Sequence, residues 1–200
     1  MRYPKLREIK GALKSLFSKP YTTKFPKEPH QPFYNFRGRP YYYQDKCIGC
    51  TACVEVCPAR ALSFKDIVEN GVAKRILKIN WDTCIECGQC QLNCPTKEGI
   101  KLSNEFDIST TESRENLCQI IEKELVLCEF CKCIVACKDH IIWTIKKLGP
   151  LYHSNTSLIG FAQNILGIGN FIHKKTKENL RSDRFLFLCP RCRRQSVFIS

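Results

Sequence analysis

Apolar residues recur along this chain at two periods, and each period marks a different kind of element. Near the start, Leu6, Ile9, Leu13, Leu16 and Phe17 fall at three- and four-residue spacing, while Lys5, Arg7, Lys10 and Lys14 lie mostly on other faces. This predicts an amphipathic helix over 4–18, ended by Pro20, which has no N–H to continue it. A basic face beside an apolar stripe suits packing on its own domain, and it equally suits a membrane surface or a groove in a membrane subunit. Further along, "VENGVAKRILKIN" (68–80) sets an Asn-Gly turn signal before alternating apolar positions, which predicts a hairpin.

The second half carries five more patterned segments. Residues 115–123 place Leu117, Ile120 and Ile121 on one face and predict a helix. "ELVLCEFC" (124–131) and "RFLFLCPRCRRQSVFIS" (184–200) each predict a strand running into a Cys-x2-Cys knuckle. Between them, "KDHIIWTIKKLGP" (138–150) predicts a helix with Asp139 as cap candidate and a Gly-Pro stop. "NTSLIGFAQNILGIGN" (155–170) predicts another, with Leu158, Ala162, Ile165 and Leu166 on one side. The stretch from Tyr21 to Pro40 has Pro26, Pro29, Pro32 and Pro40 and predicts an extended segment. No segment qualifies as a transmembrane helix. The longest run free of Lys, Arg, Asp and Glu begins at Leu148 and stops before Lys174, and His153, Asn155, Gln163, Asn164 and Asn170 interrupt it.

Composition changes the picture sharply. Fifteen of the 200 residues are cysteine, and the basic start has no apolar stretch of the secretory kind behind it. Cysteine at that density without export reads as metal ligation in a reducing compartment, and an odd total argues against complete pairing within the chain. The formal charge is +13. Two clusters and a four-thiolate ion would lower it by about 6, to roughly +7.

The cysteines form a duplicated motif. "CIGCTACVEVCPARALSF" (47–64) and "CIECGQCQLNCPTKEGIKLS" (84–103) match in four cysteines, a proline and a following apolar run. In Cys-x2-Cys-x2-Cys-x3-Cys-Pro, three thiolates wrap one cubane and the fourth reaches the other cluster. Cluster one therefore takes Cys47, Cys50, Cys53 and Cys94, and cluster two takes Cys84, Cys87, Cys90 and Cys57. Gly49 and Gly88 lie inside the loops, where a missing Cβ eases approach of backbone to the cage. Interleaved ligands make the clusters close neighbours, and the chemistry that follows is one-electron relay. His30, His140, His153 and His173 are scattered, and no Ser-His-Asp set or phosphate loop accompanies the repeat. The expectation is wiring, with no substrate site.

"LCEFCKCIVAC" (127–137) adds four cysteines spaced x2, x1, x3, which is the wrong spacing for a third cubane. Its first pair, Cys128 and Cys131, matches the distant pair Cys189 and Cys192. Two such knuckles make a closed tetrahedral site for zinc or for iron, with the two helices as an insertion over 138–173. Cys118 is expected as a small buried residue in the 115–123 helix, and Cys133 and Cys137 receive no ligand role.

"LFSKPYTTKFPKE" (16–28), "FRGRP" (36–40) and the two motifs together resemble the hydrophilic iron–sulphur subunit of respiratory complex I and of membrane-bound, energy-converting nickel-iron hydrogenases. "IKLSNEFDIS" (100–109) followed by the "CEFC…CPRC" extension is similar to the formate-hydrogenlyase type within that group. The resemblance implies an electron-transfer subunit on the cytoplasmic face of the cell membrane. Its partners would be the hydrogenase small and large subunits and a membrane-arm subunit, with peripheral membrane contact through the N-terminal helix. It also implies that "FRGR" (36–39) braces the fold.

The fold expected is α+β: a docking segment over 1–40, a two-cluster bacterial ferredoxin-like domain over 41–110, and a zinc-ribbon or rubredoxin-like knuckle domain over 111–200. Two other functions fit parts of the chain. A soluble ferredoxin-like carrier fits the repeat alone, although such carriers are usually shorter and acidic. A nucleic-acid module fits the knuckles with Arg191, Arg193 and Arg194, or the aromatic–arginine run "FRGRPYYY" (36–43), but that run leads directly into a cluster motif.

Overall fold

The computed structural model describes residues 5–19, 21–69, 71–167 and 185–198. Pro20, Asn70, His173 and the last part of the expected 138–173 insertion lie outside the described residues. The chain divides into two units, Met1–Phe36 and Arg37–Ser200.

In the first unit, α1 (Leu6–Phe17) is the helix that the apolar spacing predicts. The Glu8 carboxylate accepts the Lys5 backbone N–H at 3.0 Å and closes its first turn. Leu6, Ile9, Leu13, Leu16 and Phe17 are all exposed. Among the described residues of this unit nothing buries the apolar stripe.

The second unit is α+β. Its elements are β1 (Pro40–Tyr42), α2 (Ala52–Glu55), β2 (Leu62–Glu69), β3 (Val72–Asn80), α3 (Gln89–Leu92), β4 (Ile100–Leu102), β5 (Cys118–Leu127), β6 (Ile134–Cys137), α4 (Lys138–Leu148), α5 (Thr156–Ile165) and α6 (Pro190–Phe198). β1 and β4 form a two-stranded antiparallel sheet, and a four-stranded antiparallel sheet runs β2-β3-β5-β6. The expected hairpin is β2–β3, in register from Leu62 opposite Ile79 to Glu69 opposite Val72, with Gly71 at φ +81° in its turn.

Two expectations are corrected. Residues 118–127 are a strand and not part of a helix; only Arg114–Asn116 form a 3-10 turn. Ile121, Lys123 and Leu125 point inward at a period of two, and β5 pairs with β3 from Lys74–Glu124 to Asn80–Cys118. Tertiary pairing along a β-rich stretch outweighs a short helical pattern. β5 also carries the sheet across the 110/111 division. The second knuckle is not preceded by a strand either: 185–189 has no regular structure, and Pro190, a favoured first helical residue, opens α6. The helix expected over 138–150 forms as α4 and the one expected over 155–170 as the shorter α5, residues 168–170 lying outside the described residues, with the Asn155 side chain capping α5 by accepting the Ser157 N–H at 3.0 Å. The cap position of α4 belongs to Cys137, and Asp139 lies in its first turn.

Tyr42, Leu62, Leu77, Ile79, Trp81, Ile100 and Ile121 form the main core together with Cys53 and Cys90, so the cysteine loops pack on the sheet through one apolar layer. Burying Leu77, Ile79 and Ile100 stabilises by about 1.5–3 kcal/mol each. An exposed pair such as Lys74–Glu122 contributes about 0–1 kcal/mol, so the layer and not the surface charges holds the loops. The segment 37–39 extends the small sheet. Gly38 N–H donates to the Ser103 carbonyl at 2.8 Å and Arg39 N–H to the Glu105 carbonyl at 3.1 Å. A Cβ at Gly38 would overlap those same backbone carbonyls. The Arg39 guanidinium sits over the rings of Tyr41 (5.3 Å) and Trp81 (4.8 Å) and pairs with Glu105.

Candidate functional site

The two cysteine loops repeat one backbone path. Positive φ occurs at Gly49 and Glu86 (+70° and +53°), at Thr51 and Gly88 (+64° and +79°), and at Arg60 and Lys97 (+51° and +59°). Each loop thus bends left-handed at matching positions, then enters a single helical turn, α2 or α3. Each turn carries the third cysteine inward, and Cys53 and Cys90 are buried.

Two small cavities result. Cys47, Cys50, Cys53 and Cys94 line one, with Tyr42 and Leu77. Cys57, Cys84, Cys87 and Cys90 line the other, with Leu62 and Leu102. Each cavity draws three cysteines from one motif and the last from the other. Sulphur meets donors in both: Glu86 N–H reaches Cys84 Sγ at 3.4 Å, and Tyr42 Oη lies 3.3 Å from Cys53 Sγ. Burial pushes the Cys53 thiol up to about 12 and Cys90 up to about 11, and it raises Cys47 and Cys84 as well. Cys94 is also penalised by burial, but the Thr96 hydroxyl and the N–H groups of Thr96, Gly99 and Ile100 outweigh it and leave this thiol lowered. Four thiols facing one apolar cavity, with Cys47 and Cys53 at the first and Cys84 and Cys90 at the second raised by burial, suit a cationic cluster core that displaces the protons.

The sheet supports the first loop from beneath. Arg75 on β3 donates to the Gly49 carbonyl at 2.8 Å and forks onto Asp66 of β2 at 2.7 and 2.8 Å. Lys123 on β5, 6% exposed, donates to the Gln44 carbonyl and pairs with Asp139 of α4 at 2.9 Å. Cys137, fully buried, places its sulphur 3.4 Å from the Gly49 carbonyl. None of these supports shows in the motif, because their contacts with the loop backbone span 26 to 88 positions.

The second group of cysteines is also assembled. The sulphurs of Cys128, Cys131, Cys189 and Cys192 all lie within 4.8 Å of one another, and Cys131 and Cys189 are 3.7 Å apart. Metal–sulphur bonds of about 2.3 Å in a tetrahedron put sulphurs about 3.8 Å apart. Backbone donors point at them: Cys189 N–H to Cys128 Sγ at 3.3 Å and Cys192 N–H to Cys189 Sγ at 3.4 Å. Cys133, exposed, sits 3.2 Å from Cys131 sulphur to sulphur, a neighbour that the motif spacing does not reveal. Cys118 is half-buried at the head of β5, with its sulphur 3.2 Å from the Glu115 carbonyl.

Comparison with known proteins finds similarity across the two cysteine motifs. The family profile described as 4Fe-4S dicluster domain matches residues 46–98. NADH-quinone oxidoreductase subunit I 2 of Geobacter metallireducens is 33% identical over 132 residues, 62% of this chain and 98% of that protein. Formate hydrogenlyase subunit 6 of Escherichia coli is 31% identical over 181 residues, 89% of this chain and 84% of that protein. Among solved structures, a chain of the membrane-bound sulfane sulfur reductase, an archaeal respiratory membrane complex, is 32% identical. That match covers 58% of this chain and 62% of the other, at TM-score 0.40. This chain belongs to the family of two-cluster iron–sulphur subunits that includes NADH-quinone oxidoreductase subunit I and formate hydrogenlyase subunit 6. Its cofactors are iron–sulphur clusters of the [4Fe–4S] type.

Proposed function

We propose that this chain is the electron relay of a membrane-associated respiratory or hydrogenase-type complex, passing single electrons between two [4Fe–4S] clusters. One observation carries the reading: each four-cysteine cavity is built from both motifs. The first cluster is held by Cys47, Cys50, Cys53 and Cys94, and the second by Cys57, Cys84, Cys87 and Cys90. The clusters supply reversible one-electron chemistry, and the chain does the rest. Tyr42, Leu77 and Ile100 keep water from the first cavity, and N–H donors to sulphur favour the more negative state.

The C-terminal cysteines Cys128, Cys131, Cys189 and Cys192 form a closed structural site for one zinc or iron ion, in the manner of a zinc-ribbon or rubredoxin knuckle. The chain works on the cytoplasmic face of the membrane. No helix among the described residues is long and apolar enough to cross one, and the exposed stripe of α1 with its flanking lysines makes the peripheral contact. Its neighbours are the catalytic small and large subunits and a membrane-arm subunit.

Metal and sulphide analysis of the purified chain tests the relay. About eight cluster irons with matching labile sulphide are expected. Absence of labile sulphide would remove the reading altogether.

A further inference from the structure

The two cysteine sites have the same loop path but not the same electrical surroundings. Beneath the first lie two cations held in place by the sheet. Lys123 is 6% exposed on its side chain, and its stem passes directly under the loop: a Cβ at Gly49 would lie 3.4 Å from the Lys123 Cβ. Its ammonium is fixed on the Gln44 carbonyl, three residues before Cys47. Arg75, 13% exposed, holds the Gly49 carbonyl itself. Both have carboxylate partners, but not symmetrically. Asp139 is 48% exposed while Lys123 is buried, so water screens the carboxylate more than the ammonium. Arg75 and Asp66 are both largely buried and cancel more completely.

The second site has the opposite sign. Glu86 occupies the position equivalent to Gly49, inside the loop itself, with its backbone N–H on Cys84. Its half-buried side chain stands in the loop between Cys84 and Cys87, two of the second site's ligands. Arg37 donates to the Cys87 carbonyl of this loop at 3.2 Å, from an exposed position where solvent screens its charge.

We infer that Lys123 is a potential-setting residue that makes the first cluster the electron's resting place, with Glu86 holding the second cluster lower. The inference rests on the ligand sets proposed above. Reduction adds one negative charge to a cluster and no proton, so a buried cation favours the reduced form and a carboxylate disfavours it. The relay therefore has a built-in slope from the second site to the first. Lys123 acts through the field and through Gln44; it is a positioning and tuning residue, not a ligand.

The test is a redox titration of the full-length protein, loaded with both clusters, using dithionite against mediator dyes and reading each cluster by electron paramagnetic resonance. The parent chain should show two distinct midpoints. Lys123→Met should lower the higher midpoint and leave the lower one in place, and Lys123→Arg should stay near the parent. Asp139→Asn, which removes the opposing charge, should raise the higher midpoint. Glu86→Gln should raise the lower one. Opposite shifts from Lys123→Met and Asp139→Asn separate a charge effect from loosened packing, which would move both the same way. If Lys123→Met does not load, Asp139→Asn and Glu86→Gln still decide, since neither side chain is fully buried. Two equal midpoints, a same-sign pair of shifts, or a lower midpoint that follows Lys123 overturns the inference alone. A parent chain that takes up no clusters overturns the ligand assignment and this inference with it.

Discussion

The sulphur of Cys137 occupies the space where a side chain at Gly49 would begin, 2.5 Å from a Cβ built there. Gly49 also sits at φ +70°, where a Cβ is strained in any surroundings. Gly88 shares the left-handed backbone at φ +79°, but its nearest neighbour is the end of the Leu102 side chain at 3.3 Å. Gly88→Ala should then cost about 1–2 kcal/mol from backbone strain. Gly49→Ala should cost about 1–3 kcal/mol more from overpacking and should also reduce cluster iron. Urea denaturation and iron per chain check both. Equal losses would mean that Cys137 does not wedge the first loop.

Arg75 links the hairpin to that loop, so its partner should matter to stability. Asp66 and Arg75 are 19% and 13% exposed and meet in a two-point fork. Asp66→Asn leaves a largely buried guanidinium short of its counter-charge and should destabilise by about 1–3 kcal/mol. A loss below about 0.5 kcal/mol in urea denaturation would place the pair among ordinary surface ion pairs.

The parts of the molecule that depend on neighbouring residues were legible in the sequence, and those that depend on distant ones were not. The cluster loops follow from spacing, because each cysteine's direction is fixed within a few residues. The hairpin follows from its turn and alternation. β5 was obscured by Lys123, whose inward position breaks the apolar alternation of Ile121 and Leu125 and leaves Leu117, Ile120 and Ile121 mimicking a helix face. A buried lysine is intelligible only once the Gln44 carbonyl and Asp139 come to it, 79 and 16 positions away. Cys137 likewise has no local signal, since its contact with Gly49 spans 88 positions. The matching Cys-x2-Cys spacings of Cys128 and Cys131 and of Cys189 and Cys192 pointed to the two pairs lying together, and their sulphurs lie within 4.8 Å of one another.

That set predicts one additional metal ion per chain. Cys189→Ser should lose it while the cluster iron stays at the parent level, and Cys133→Ser should keep it. Metal analysis by mass spectrometry, alongside labile sulphide, reads both variants. If Cys133→Ser loses the ion and Cys189→Ser keeps it, Cys133 is the fourth ligand.

The exposed stripe of α1 predicts where membrane contact lies. Replacing Leu13 and Phe17 together by Asp should move the protein from the membrane fraction to the soluble fraction, with its cluster iron unchanged. Unchanged fractionation would assign the contact elsewhere.

The central claim is that each cluster is tied by both motifs, and paired cysteine replacements test it most directly. Crossed ligation puts Cys57 with Cys87 and apart from Cys50. Cys57→Ala combined with Cys87→Ala should therefore spoil one cluster and leave about four irons, whereas Cys57→Ala combined with Cys50→Ala should spoil both and leave almost none. The reverse outcome, four irons kept in the Cys50 pair and none in the Cys87 pair, would contradict the account.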